Sequence, residues 1–199
     1  MTSPLFSLIV QRMDNLFISS WESIQQTIAA GRNDWGSLHP VIVHVPVALL
    51  FIAPLFILMG LVFQKSSKAF YISALILLLA GTFGIYLAAS TGEHASEYLK
   101  PNPETLKTLE LHDRLGGIMR IDFTVLTSTF LTYLLSLSFL GRKFGPQTHR
   151  LALILFLIIY ACHLVLLFNT AHQGGKLVHL HGITSQLYKN IDSTVIHSE

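Results

Sequence analysis

Charge is scarce in this chain. Only 12% of its 199 residues are Asp, Glu, Lys or Arg, about half of what soluble domains carry, and mean hydropathy is +0.55. A water-soluble domain is excluded by that balance, and so is a disordered chain. Cysteine is nearly absent: Cys162 stands alone inside an apolar run, so no internal disulfide forms and cysteine usage says nothing about redox compartment. No CxxCH occurs, which rules out covalent c-type haem within this chain. No G-x-S-x-G or H-E-x-x-H is present, leaving hydrolytic catalysis with little support. The net charge of +2 is too small a bias to argue for nucleic acid.

Long apolar runs are plentiful. Four windows are long enough to cross a bilayer: Val41 to Phe63, Ala69 to Ala89, Ile121 to Leu140 and Leu151 to Thr170. The expected fold is an all-α integral membrane four-helix bundle. Pro46 and Pro54 kink the first span without forbidding it. The third span carries Asp122 at its mouth and Thr124, Thr127, Ser128, Thr129, Thr132, Ser136 and Ser138 within it, so one face is expected to look inward. Its helix is expected to start before the bilayer, around Glu104, after the helix-breaking Lys100-Pro101-Asn102-Pro103.

The loops between spans 1 and 2 and between spans 3 and 4 hold Lys65, Lys68, Arg142, Lys143 and Arg150 and no acidic residue. By the positive-inside rule those loops are cytoplasmic. Both termini and the loop from Ser90 to Arg120 are then expected outside, which in a Gram-negative cell is the periplasmic side of the inner membrane.

The first 30 residues lack the pattern of a cleaved signal peptide. Phe6, Ile9, Met13, Phe17, Trp21, Ile24 and Ile28 recur in steps of three and four, one stripe of an amphipathic helix. Such a helix either lies on the outer leaflet with Trp21 at headgroup level or covers the bundle or a partner subunit. Residues 31–37 read as a linker around Gly31 to Gly36, residues 38–184 as the transmembrane domain and residues 185–199 as a tail.

The chain has ten histidines, an unusual supply for a short membrane protein. His39, His44, His94, His112, His172, His179 and His181 fall at the outer ends of the spans, and His163 lies about 10 Å deeper at 1.5 Å per residue. Only His149 and His197 fall elsewhere. A single histidine at a helix end is usually an interfacial side chain with a local hydrogen bond. Together they point to a metal or haem site, since imidazole ligates both and intramembrane ionisable groups are functional by default. No span has a histidine in its cytoplasmic half, so any site is one-sided and exchanges electrons only near the outer face. Gly81, Gly84, Ala88 and Gly92 form a small-residue stripe on span 2, which suits a flat macrocycle but equally suits close helix packing.

The run Leu38-His39-Pro40-Val41-Ile42-Val43-His44-Val45-Pro46-Val47-Ala48 resembles the opening of a small four-helix bacterial membrane family, domain of unknown function 2231: His-Pro, two variable apolar residues, then Val-His-Phe-Pro-Ile-Ala. Thr91-Gly92, His112-Asp113 and the stretch from Ala171-His172-Gln173-Gly174-Gly175 to His179-Leu180-His181-Gly182 are similar to its later stations. The departures are Val45 for Phe, Asp113 for Glu and His179 for Tyr. The resemblance covers residues 38–184. It implies the four-helix fold and, through the family's likeness to domains fused to c-type cytochromes, an association with periplasmic electron transfer.

Matched residue by residue, the expected ligands are His44, His112, His172 and His181, with His39 next; His-Pro is also good chemistry for starting a helix. Arg114 and Arg120 either pair with haem propionates or anchor helix 3 at the headgroups. Asp113 and Glu110 either orient imidazoles or are solvated near a helix N-terminus. Gly174-Gly175 is expected to turn the chain back over the bundle, returning His181 to the cluster. The favoured reading is a b-type haem protein or cytochrome-complex subunit, with a c-type cytochrome or quinone as redox partner and lipid around it, alone or as a homo-oligomer or part of a larger complex. The alternatives are a zinc or copper site on His44, His112, His172 and His181, in binding or transport, and a cofactor-free structural subunit. The shortage of Met and Cys argues against a copper(I) pathway.

Overall fold

The structure is a computed structural model that describes residues 4–97, 99–140 and 145–183. The described residues are helical throughout, with no strand. Helix α1 spans Pro4–Asn33 and a 3-10 turn Trp35–Leu38; the short α2, His39–Ile42, leads into α3, His44–Val62. Then come α4 (Ser67–Ser96), α5 (Pro103–Leu140) and α6 (Pro146–His179). The four expected spans lie on α3, α4, α5 and α6, each long and apolar enough to cross a membrane. Arg142, Lys143 and the tail with His197 lie outside the described residues.

Proline shapes the first span. Pro46 has no N–H for the carbonyl of Ile42, and the chain breaks at Val43 into α2 and α3. Pro54 lies inside α3 and leaves the carbonyl of Leu50 without its helical donor. Tyr160 of α6 fills that vacancy: its hydroxyl donates to the Leu50 oxygen at 2.6 Å, and its side chain is wholly buried. The core around it takes Leu50, Ala53 and Ile57 from α3, Ala74 and Leu78 from α4, Phe123 and Phe130 from α5, and Leu153 and Phe156 from α6.

The small-residue stripe is filled by the neighbouring segment. A Cβ on Gly81 would stand 2.6 Å from the Leu50 side chain, and one on Gly84 would stand 3.1 Å from Pro46. Gly92 faces the ring of His39. The stripe thus lets α2 and α3 pack closely against α4 and leaves no flat groove along Gly81 and Gly84 for a macrocycle.

The hydroxyl face of α5 differs from expectation. Thr127 is buried and shares a 2.7 Å hydrogen bond with Thr82 of α4, but Thr124, Ser128, Thr129 and Thr132 are exposed. A threonine can bond its own helix backbone, as Thr124 does to the Arg120 carbonyl at 2.6 Å, so a hydroxyl need not turn inward.

Two further boundaries move. Helix α6 runs straight through Gly174 and Gly175, and the turn comes later, at Gly182 with φ +66°. The first linker is ordered: Asp34 accepts from the Gly36 N–H at 3.0 Å, and Gly36 sits so close to Ala95 that a Cβ would fall 2.6 Å from its nitrogen. Helix α1 packs on the 3-10 turn. Its stripe stays exposed, Phe17 at 75% and Trp21 at 53%, and does not cover the bundle.

Candidate functional site

The starts of α2 and α5 and the ends of α4 and α6 meet at one end of the bundle, because α3 and α5 run opposite to α4 and α6. This end carries the histidines. His39 opens α2, and its Nδ1 lies 2.9 Å from the carbonyl oxygen of Ala88 and 3.1 Å from Thr91 Oγ1. The Thr91 hydroxyl donates to the carbonyls of Leu87 and Ala88 and so accepts from the imidazole. His112, two and a half turns into α5, sets its Nδ1 3.0 Å from the Thr170 carbonyl oxygen of α6. A carbonyl oxygen only accepts, so Nδ1 carries the proton in both rings. With Nδ1 engaged in this way, Nε2 is the nitrogen of each ring that could ligate, as in histidines that hold metal.

The two rings meet edge to face, with centroids 6.4 Å apart and planes at 83°. Glycine backs each of them. A Cβ on Gly92 would stand 2.9 Å from His39 Cε1, and one on Gly174 would stand 3.1 Å from His112 Cε1. Of the expected ligands, the fold brings His39 and His112 together.

The other expected ligands are placed apart from this pair. His44 is exposed and turns its Nδ1 to the Pro40 carbonyl of its own segment. His172 is exposed on α6. His181 does return to α5, but Thr105 Oγ1 lies 3.2 Å from its Nδ1 and Thr108 Oγ1 3.0 Å from its Nε2. Both of its nitrogens are thus engaged, and the ring fastens the end of α6 to α5. The set His44, His112, His172 and His181 is not gathered: among the described residues no group of three or more His, Cys, Asp or Glu is placed to hold a metal ion. Arg114 and Asp113 are exposed. Arg120 donates to Glu93 of α4 at 3.0 Å, and main-chain carbonyls, rather than Asp113 or Glu110, orient His39 and His112.

Sequence reasoning ranked His39 below the others because His-Pro explains itself as a helix start. It placed Thr91-Gly92 in the motif without giving Thr91 a role, and it missed the carbonyls of Ala88 and Thr170. The closeness of Gly92 to His39 in the motif of span 2 was the available signal, since both lie at one end of adjacent helices.

These features define a four-helix membrane protein with a paired imidazole at one end. The family described as predicted membrane protein, DUF2231, matches residues 36–187, and the chain belongs to it. No curated protein and no solved structure matches.

Proposed function

We propose that this protein is a membrane-embedded b-type haem protein, or a subunit of a cytochrome complex, that exchanges electrons near one face of the bilayer. The observation that supports this reading is the edge-on pair of His39 and His112, each with Nδ1 held by a main-chain carbonyl. A haem bound there supplies one-electron exchange. The chain's own part is positional: Ala88, Thr91 and Thr170 fix the rings, and Gly92 and Gly174 let them sit close to α4 and α6. A site of three or four protein ligands for zinc or copper has less support, because among the described residues no group of three or more ligating side chains converges.

In this reading the histidine end faces the periplasm across the inner membrane, because Lys65, Lys68 and Arg150 lie at the opposite end. A c-type cytochrome or a quinone is the fitting redox partner, and α1 rests on the membrane surface by its exposed stripe. The test is the spectrum of detergent-purified protein, oxidised and dithionite-reduced, with extraction of the pigment as its pyridine complex. The expected result is a Soret band and a reduced alpha band of b-type haem. A folded protein that stays colourless after expression with added haem contradicts the proposal; metal analysis then separates an ion site from a cofactor-free subunit.

A further inference from the structure

The outward sides of α3, α4 and α6 expose large apolar residues, Phe51 and Leu58, Ile76 and Phe83, Ile158 and Phe168 among them. Helix α5 departs from that pattern. Along its span Thr124, Ser128, Thr129 and Thr132 are exposed beside Val125, and these residues line a shallow groove on the helix surface. Thr124 is served within the bundle: it donates to the Arg120 carbonyl at 2.6 Å, and the Tyr86 hydroxyl of α4 lies 3.1 Å away. Among the described residues, Ser128, Thr129 and Thr132 have no hydrogen-bond partner. Acyl chains offer neither donor nor acceptor, and polar groups left unsatisfied in hydrocarbon are costly.

The open face of α5 also has a period. Ile121, Val125, Ser128, Thr132 and Leu135 are all exposed and recur in steps of four, three, four and three, the spacing of a seam along which one helix packs on a near-parallel partner. The seam is bulky at its ends and small and hydroxylic at its centre, which lets two backbones approach closely. Helices α4 and α6 pack on other faces of α5, so a partner for this face comes from outside the bundle. Copies of one chain insert in one direction, since the same basic loops orient each of them. A closed pair of copies is then related by a two-fold axis along the membrane normal. Such an axis sets each seam residue opposite its own counterpart. A hydroxyl suits that arrangement because it both donates and accepts, whereas a charged side chain would meet its own sign. No charged residue lies on the seam. Asp122, next to it, turns instead toward His163 of α6, with Oδ2 3.6 Å from Nε2.

We propose that Ile121, Val125, Ser128, Thr132 and Leu135 form the interface of a parallel homodimer, α5 against α5 of a second copy, with the hydroxyls of Ser128 and Thr132 bonding across the two-fold axis. The dimer does not depend on the haem reading.

The experiment uses the full chain in a Cys162→Ser background and two readouts. Sedimentation equilibrium in density-matched micelles should give a dimer whose dissociation constant rises at least tenfold in the double variant Ser128→Leu, Thr132→Leu. Both positions lie on the outer surface of the bundle, where leucine fits the monomer, and circular dichroism should be unchanged. The double variant Ser128→Ala, Thr132→Ala keeps the small size without the hydroxyls and should weaken the dimer less than the leucines do. In inner-membrane vesicles, Ser128→Cys should cross-link into dimers on mild oxidation, while Val165→Cys, on the exposed side of α6, should not. The His39→Ala variant should keep the full dimer even though it loses any haem, so failure of the haem reading and failure of this interface are separately visible. A monomer at every protein concentration would overturn the proposal. So would a dimer unchanged in the leucine variant, or cross-linking at Val165→Cys in place of Ser128→Cys, which would put the contact between copies on α6.

Discussion

His39, His44, His112 and His163 all turn Nδ1 toward a main-chain carbonyl. What stands beside each ring separates them: the other imidazole for His39 and His112, the exposed surface for His44, a carboxylate for His163. Position at a helix end is therefore a poor guide to role, and the partner across the helix seam is a better one. Two adjacent glycines give a controlled test of the pair. A Cβ at Gly174 meets His112 at 3.1 Å, whereas one at Gly175 meets nothing within 4 Å. On the proposed haem reading, Gly174→Ala should lower haem occupancy severalfold, as should Gly92→Ala. Gly175→Ala should keep occupancy and raise stability by up to about 1 kcal/mol, the helix-propensity difference between the two residues. Occupancy per folded chain and a denaturant titration in detergent check both.

At the scale of elements, helix packing replaces what proline takes away. Tyr160→Phe removes the donor that serves the Leu50 carbonyl freed by Pro54 and should cost about 1–2 kcal/mol, read from unfolding in mixed micelles. Gly81→Val forces two methyl groups into the space of the fully buried Leu50 and should destabilise by about 1–3 kcal/mol. The spans themselves were legible in the sequence, because hydropathy and length report directly on lipid-facing helices. The protruding start of α5 was legible from its Pro-Asn-Pro break. The course of α6 was not. Gly174-Gly175 reads as a turn by the rules of soluble proteins, yet glycine is common within membrane helices, and here small size at Gly174 admits the ring of His112. The pairing of His39 with His112 was hidden for a related reason: it depends on the rotation of α2 against α5, which the break at Val43 sets and no local pattern announces.

The whole molecule is polarised. Histidines and the Arg120–Glu93 ion pair gather at one end, and Lys65, Lys68 and Arg150 lie at the other. Cysteine labelling tests the inferred sidedness: in a Cys162→Ser background, Asn102→Cys should react with an impermeant thiol reagent from the periplasmic side, and Ser66→Cys only after the inner membrane is opened. The reverse pattern would turn the histidine end to the cytoplasm and remove periplasmic carriers as partners. The proposed haem reading, in which His39 and His112 together hold one iron, is tested most directly by haem content and reduced-minus-oxidised spectra of four purified variants: His39→Ala, His112→Ala, His44→Ala and His172→Ala. The account predicts that the first two each lose the low-spin b-type spectrum or the haem itself, while the last two keep both. Full spectra in His39→Ala and His112→Ala, with loss in His44→Ala or His172→Ala, would contradict it.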